Sequence, residues 1–136
     1  MKVLALDYGS ARTGVAISDP TGTLARPVCA VRAVGTEKGL AHLVKVIGEH
    51  EPARIVVGLP LTLKGDRGAQ AQETERFVEV LRAVVTVPVE TYDERFTTAL
   101  AGRTGGAAGG AKAGEDARAA AHLLESYLQW AAAGHS

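Results

Sequence analysis

Two apolar runs, Val3–Leu6 and Gly14–Ser18, lie within VLALDYGSARTGVAISD (residues 3–19) with only a short turn between them. A crossover between parallel strands needs a dozen or more residues, so this connection can only make an antiparallel hairpin. DPTG at 19–22 is turn chemistry, and Val28–Val31 resumes strand character. The period then changes. Leu40, Leu43, Val44 and Ile47 repeat at helical spacing, with Pro52 just beyond. Arg54–Gly58 is a strand apolar on both faces, followed by the long loop LPLTLKGDRG. Thr74, Phe77, Val78 and Leu81 mark a second amphipathic helix, and Val87–Tyr92 a fifth strand whose Pro88 suits a sheet edge. Thr97 and Thr98 are N-cap candidates for a short helix near Ala99–Arg103. The glycine-rich GGAAGGAKAG resists ordering, and an alanine- and leucine-rich helix runs from Glu115 to about Ala132. The expected fold is α/β: a mixed five-stranded sheet, three strands in an antiparallel meander and then parallel strands, with helices on both faces. At 136 residues the chain suits a single domain spanning residues 1–136.

Composition narrows the function. No apolar run approaches the roughly 18–20 residues of a membrane helix, and Asp7 interrupts the first apolar stretch too early for a signal peptide. A single cysteine, Cys29, forms no internal disulfide and has no metal-ligand spacing with histidine; a reducing cytoplasm is the expected setting. Fifteen basic and fifteen acidic residues cancel, which disfavours indiscriminate nucleic-acid binding through net charge. Aromatics at 4% argue against a stacking platform for single strands.

The acids carry more information. Asp7 ends the first strand and Asp93-Glu94 end the fifth, so parallel strands deliver them to one rim of the sheet. At about 100° per residue, Asp116 falls on the stripe of Ala120, Leu123 and Tyr127, the apolar face of the last helix. Glu125 falls on the opposite face. Converging carboxylates repel and resist burial unless a cation compensates them. Mg²⁺ or Mn²⁺, bound through oxygen, is the usual compensation, and a pair of such ions supports phosphodiester hydrolysis. The same residues have structural readings. Asp7 and Asp19 are also turn or capping residues, Asp116 also complements a helix dipole, and Asp93 or Glu94 also pairs with Arg95. Strand alternation sends Asp93 and Glu94 to opposite faces, so one of them suits a metal better than the other. His42, His50, His122 and His135 lack ligand spacing and read as structural or surface residues.

GSARTG (9–14) lacks the Lys-Ser/Thr of a phosphate-binding loop and is not GxGxxG. Arg12 at its tip either holds a phosphate or stays solvated. Lys64, Arg67 and Arg95, with Arg103 and Lys112, fall in loops that frame the acidic rim, as a nucleic-acid backbone requires.

These segments together resemble the YqgF/RuvX family of RNase H-like nucleases over nearly the whole chain. LALDYGSARTGVAISD is similar to the family's strand-turn-strand with its first catalytic aspartate, here Asp7. IVVGLPLTLKGDRGAQA (55–71) resembles its glycine-leucine-proline segment, TYDERFTT (91–98) its D-E-R-hydroxyl motif, and EDARAAAHLLESYL (115–128) the last helix with its aspartate, here Asp116. DxGxxxxGVA also resembles the phosphate turn of actin-like ATPases, but the chain is too short for their two domains. The family resemblance implies a divalent-metal endonuclease with Asp7, Asp93, Glu94 and Asp116 at its centre and Arg12, Lys64, Arg67 and Arg95 on the nucleic acid. The implied substrate is structured RNA, the 5′ end of the 16S ribosomal RNA precursor, or alternatively a four-way DNA junction. Ribosomal particles and a second copy of the chain are further candidate partners. A binding module with the same fold and little activity is the competing class. The chain departs from the family in its lysine-poor loop before Asp116 and in Arg118, at a usually apolar position.

Overall fold

Pairing at the hairpin sets the register for the whole sheet. In the computed structural model, which describes residues 1–61, 64–96 and 112–134, β1 (Val3–Asp7) runs antiparallel to β2 (Arg12–Ser18), with Asp7 opposite Gly14. β3 (Ala25–Arg32) continues the meander on the far side of β2. After α1 (Glu37–His50) the chain returns as β4 (Arg54–Leu59), parallel to β1. After α2 (Ala69–Val84) it returns again as β5 (Val89–Asp93), parallel to β4. The sheet order is β3-β2-β1-β4-β5. A 3₁₀ turn, Glu94–Phe96, leaves β5, and α3 (Lys112–Ala132) closes the described chain. This is the expected mixed five-stranded sheet with helices on both faces. The short helix expected near Ala99–Arg103, its Thr97 and Thr98 caps, His135 and most of the glycine-rich stretch lie outside the described residues.

The pleat sorts side chains into two cores, because successive residues point to opposite faces. Leu4, Leu6, Val15, Ile55 and Val57 pack against Leu43 and Ile47 of α1 and Phe77, Val78 and Leu81 of α2. Val3, Ala5, Ala16, Val56 and Tyr92 pack against Ala120, Leu123, Leu124 and Tyr127 of α3. β1 and β4 are central strands covered on both sides, which explains their unbroken apolar runs. The α3 face is built from small residues on β1 and β2, so α3 lies close to the sheet. Closest is Gly14, where a Cβ would fall 1.9 Å from the backbone oxygen of Asp116 and 3.2 Å from the nitrogen of Ala117. The second glycine of the opening turn is therefore required by the helix that covers it. Gly9 serves the turn itself, since a Cβ there would fall 2.5 Å from the Arg12 carbonyl oxygen.

Two boundaries and one buried face differ from the sequence expectation. α3 starts at Lys112 rather than Glu115, because lysine and alanine favour the helix enough to carry Gly114 in its first turn. β5 starts at Val89 rather than Val87; Pro88 has no N–H for the ladder, although its carbonyl accepts from Ile55. In α1 the buried face takes Val46 beside Leu43 and Ile47, while Val44 is half-buried. Edge strand β5 is covered by Arg82, whose Nε and Nη2 donate to the Val89 carbonyl at 3.1 and 2.7 Å; charged cover of this kind protects an edge from foreign strands.

Gly14→Ala should destabilise the fold by about 3 kcal/mol, the upper end of ordinary overpacking, because the obstacle is backbone rather than a mobile side chain. Gly48→Ala, on the exposed side of α1 with open space around its Cβ position, should stabilise by about 0.5–1 kcal/mol. Urea unfolding of the two variants checks the contrast.

Candidate active site

The carboxyl ends of β1, β4 and β5 form one rim, and parity decides which acids share a face. Ala5 belongs to the α3 face and Leu6 to the other, so Asp7 returns to the α3 side. Tyr92 belongs to the α3 face as well. The alternation turns Asp93 away and brings Glu94, in the 3₁₀ turn, back toward Asp7. Gly58 of β4 supplies the room for this: a Cβ there would fall 2.9 Å from Glu94 Cγ and 3.0 Å from Leu123 Cδ2. Glu94 thus lies across a strand position that has no side chain. Gly58 is not among the sequence-predicted site residues; a glycine inside an otherwise apolar, two-sided strand is the signal that marks it.

The two acids on this face resist ionisation. The Asp7 carboxyl is pushed up to about 6, first by burial and then by the neighbouring charge of Asp116. Glu94 is pushed up to about 7, first by burial and then by the charges of Asp7 and Asp93. Asp93 behaves oppositely. Its carboxylate accepts from Arg95 Nε at 2.9 Å, Arg95 Nη2 at 2.6 Å and the Arg95 backbone N–H at 2.9 Å. These hydrogen bonds hold it below the usual carboxylate range. Asp93 is a paired acid, and Glu94 is the member of the dyad that faces Asp7.

Asp116 reaches the same corner from α3 and meets a cation there: Arg12 Nε donates to its Oδ2 at 2.7 Å. Arg12 is therefore paired with a protein carboxylate while its side chain stays one-third exposed. Arg67 Nε lies 3.2 Å from Glu75, and Lys64 is exposed. Gly65, at φ 86°, has its Cβ position 3.2 Å from Arg95 Nη1, so the loop after β4 rests on the DER segment. Arg103 and the side chain of Lys112 lie outside the described residues. Asp19 is the turn residue expected: its carboxylate accepts from the Thr21 hydroxyl and from the Thr23 and Leu24 backbone, at the other end of β2. His122 stands 3.4 Å from Glu125 on the outer side of α3.

Among the described residues, no three His, Cys, Asp or Glu side chains form a group able to hold a metal. Asp93 is turned to Arg95 and Asp116 to Arg12. What remains is a pair of all-oxygen donors, Asp7 and Glu94, whose burial and mutual repulsion a hard divalent cation would relieve. The chemistry of the donor set fits such a cation, and Asp116 is a further carboxylate whose charge acts on Asp7.

Without metal, these acids should cost stability at neutral pH. Their folded pKa values, about 6 and 7, exceed the ordinary 3.8 and 4.5. The folded state therefore binds more protons than the unfolded one between about pH 4 and 7, and stability falls as pH rises through that window. Asp7→Asn should raise metal-free stability at pH 7.5 by about 1–2 kcal/mol and flatten the pH 4–7 slope. Thermal melts in chelator across this range check both effects.

The chain as a whole is similar to known proteins. Residues 1–130 match a family model described as "RuvX: Holliday junction resolvase". A Chloroflexus aurantiacus protein named "Putative pre-16S rRNA nuclease" is 43% identical over 99 residues, covering 73% of this chain and 65% of that protein. The match thus spans just under two thirds of that relative's length. A Syntrophomonas wolfei protein of the same name is 33% identical over 138 residues, covering 98% of each chain. Among solved structures, "T. thermophilus RuvC in complex with Holliday junction substrate" superposes with a TM-score of 0.63 at 18% identity, covering 100% of this chain and 98% of that one. At that identity the likeness establishes the fold. With a family model matched over residues 1–130 and a relative 33% identical across nearly its whole length, the chain belongs to the RuvX family.

Proposed function

We propose that the chain is a divalent-metal-dependent endonuclease of the two-metal-ion type that hydrolyses phosphodiester bonds in structured nucleic acid. The substrate proposed is the 16S ribosomal RNA precursor at its 5′ end, in a cytoplasmic setting. The observation that carries this reading is the Asp7–Glu94 pair: two carboxylates from different elements on one rim, both with pKa raised by burial, Asp7 further by the charge of Asp116 and Glu94 by that of Asp7. An ordinary fold gains nothing from that arrangement, whereas a metal site depends on it. A relative bearing the precursor-rRNA nuclease name over nearly the full chain supports the substrate.

Asp7 and Glu94 would hold Mg²⁺ or Mn²⁺, with Asp116 as the third carboxylate. Such an ion supplies a water of lowered pKa and stabilises charge on the phosphate. Asp93 acts through Arg95, fixing the guanidinium at the mouth of the site. Arg12, Lys64, Arg67 and Arg95 would contact the backbone and orient the strand without reading its sequence. The alternative substrate, a four-way DNA junction, is favoured by the family description and would call for a homodimer that cuts two strands.

Changing residues that merely orient metal ligands costs about 10–100-fold. Asp7→Asn and Glu94→Gln should therefore each lower Mg²⁺- or Mn²⁺-dependent cleavage by about 100-fold or more, while Asp93→Asn lowers it less. Cleavage assays on precursor RNA and on a four-way DNA junction in parallel check this. Folded Asp7→Asn and Glu94→Gln proteins that cut as well as wild type would refute the mechanism, and the faster substrate decides between RNA and DNA.

A further inference from the structure

Arg12 and Asp116 are 104 residues apart in sequence and joined by one short ion pair. Their side chains are 33% and 29% exposed, so each can be reached from solvent while paired. Each also belongs by chemistry to a different ligand. A carboxylate beside Asp7 and Glu94 suits a divalent cation. A guanidinium at the tip of a turn suits a backbone phosphate, which its fork can bind with two hydrogen bonds.

We propose that this ion pair couples the two ligands, so that metal and nucleic acid each bind more tightly when the other is present. The inference rests on the metal-dependent nuclease reading above. Metal binding alone has to take Asp116 from Arg12 and leave the guanidinium uncompensated. Phosphate binding alone has to take Arg12 from Asp116 and leave the carboxylate facing Asp7. With both ligands bound, the pair is broken once and each half has a new partner. The coupling is therefore positive and, by thermodynamic linkage, equal in both directions.

The fold also says which half moves. The backbone of Asp116 packs directly against Gly14, two residues along β2 from Arg12. The backbone that carries this short side chain is thereby fixed to the sheet. Arg12 opens the strand at the turn, and its long side chain can swing without disturbing either core.

The test uses Ca²⁺ as the oxygen-seeking cation and a fluorescent stem-loop RNA whose integrity is verified after each measurement. Ionic strength is held constant, since salt alone alters phosphate binding. RNA affinity is read by anisotropy with and without Ca²⁺, and Ca²⁺ affinity by calorimetry with and without RNA. Wild type should show about tenfold tightening in both directions. Arg12→Ala should bring the coupling within about twofold of none while tightening Ca²⁺ binding to the free protein, because Asp116 is released. Arg12→Lys, which keeps the charge and loses the fork, should retain part of the coupling. Lys45→Ala, an exposed lysine on α1, controls for the loss of one positive charge and should retain all of it. Wild-type coupling in Arg12→Ala, or unchanged Ca²⁺ affinity of its free form, overturns the proposal. Asp7→Asn separates the two readings. If wild type and Asp7→Asn bind Ca²⁺ equally poorly, the metal site itself fails and the coupling with it. If Asp7→Asn alone loses Ca²⁺ while Arg12→Ala stays coupled, only the coupling fails.

Discussion

The close approach of α3 to β2 at Gly14 is the contact on which the rest of the molecule depends. A helix packs this near a sheet only where a side chain is missing, and a Cβ at this position would lie 1.9 Å from a helix backbone oxygen. Two consequences follow from that spacing. Ala5, Ala16 and Val56 become a well-filled core under Ala120, Leu123 and Leu124. Asp116, in the same turn of α3, arrives beside Arg12 and near Asp7. One missing methyl group thus serves packing and the chemistry of the rim together.

Electrostatics at the rim divide four acids into three conditions. Asp93 is neutralised locally by the arginine two residues on, Asp116 by an arginine from the opposite end of the chain, and Asp7 and Glu94, among the described residues, have their pKa raised by burial and neighbouring acids. Only the last pair stores unfavourable energy, and proteins tolerate such storage at functional sites more than elsewhere. The proposed cation belongs there for that reason. Tethering Asp93 and Asp116 to arginines keeps the site from holding four uncompensated carboxylates, which would oppose folding.

Much of this was legible before any coordinates. The short hairpin connection forced the antiparallel pairing, and the change of period after Val31 separated meander from crossover units. Strand alternation set Asp93 and Glu94 on opposite faces, although it left open which of them joins Asp7. Asp19 read correctly as a turn residue. Less legible were the ends of elements next to glycine and proline, as at Lys112 and Val89, where small propensities compete with tertiary packing. The place of Gly58 under Glu94 was hidden, because a glycine in a strand states that something comes close without stating what.

The sequence by itself determined the kinds of element, their order, and the delivery of acids to strand ends, because these follow from periodicity and chain connectivity over a few residues. Only the tertiary structure decided the partnerships. Arg12 with Asp116, Asp93 with Arg95 and Glu94 across Gly58 depend on separations of a few ångströms between groups brought together by packing. A charge in the sequence carries no record of its distance from its neighbours, and at a buried rim that distance sets whether an acid is neutralised, paired or left to hold a metal.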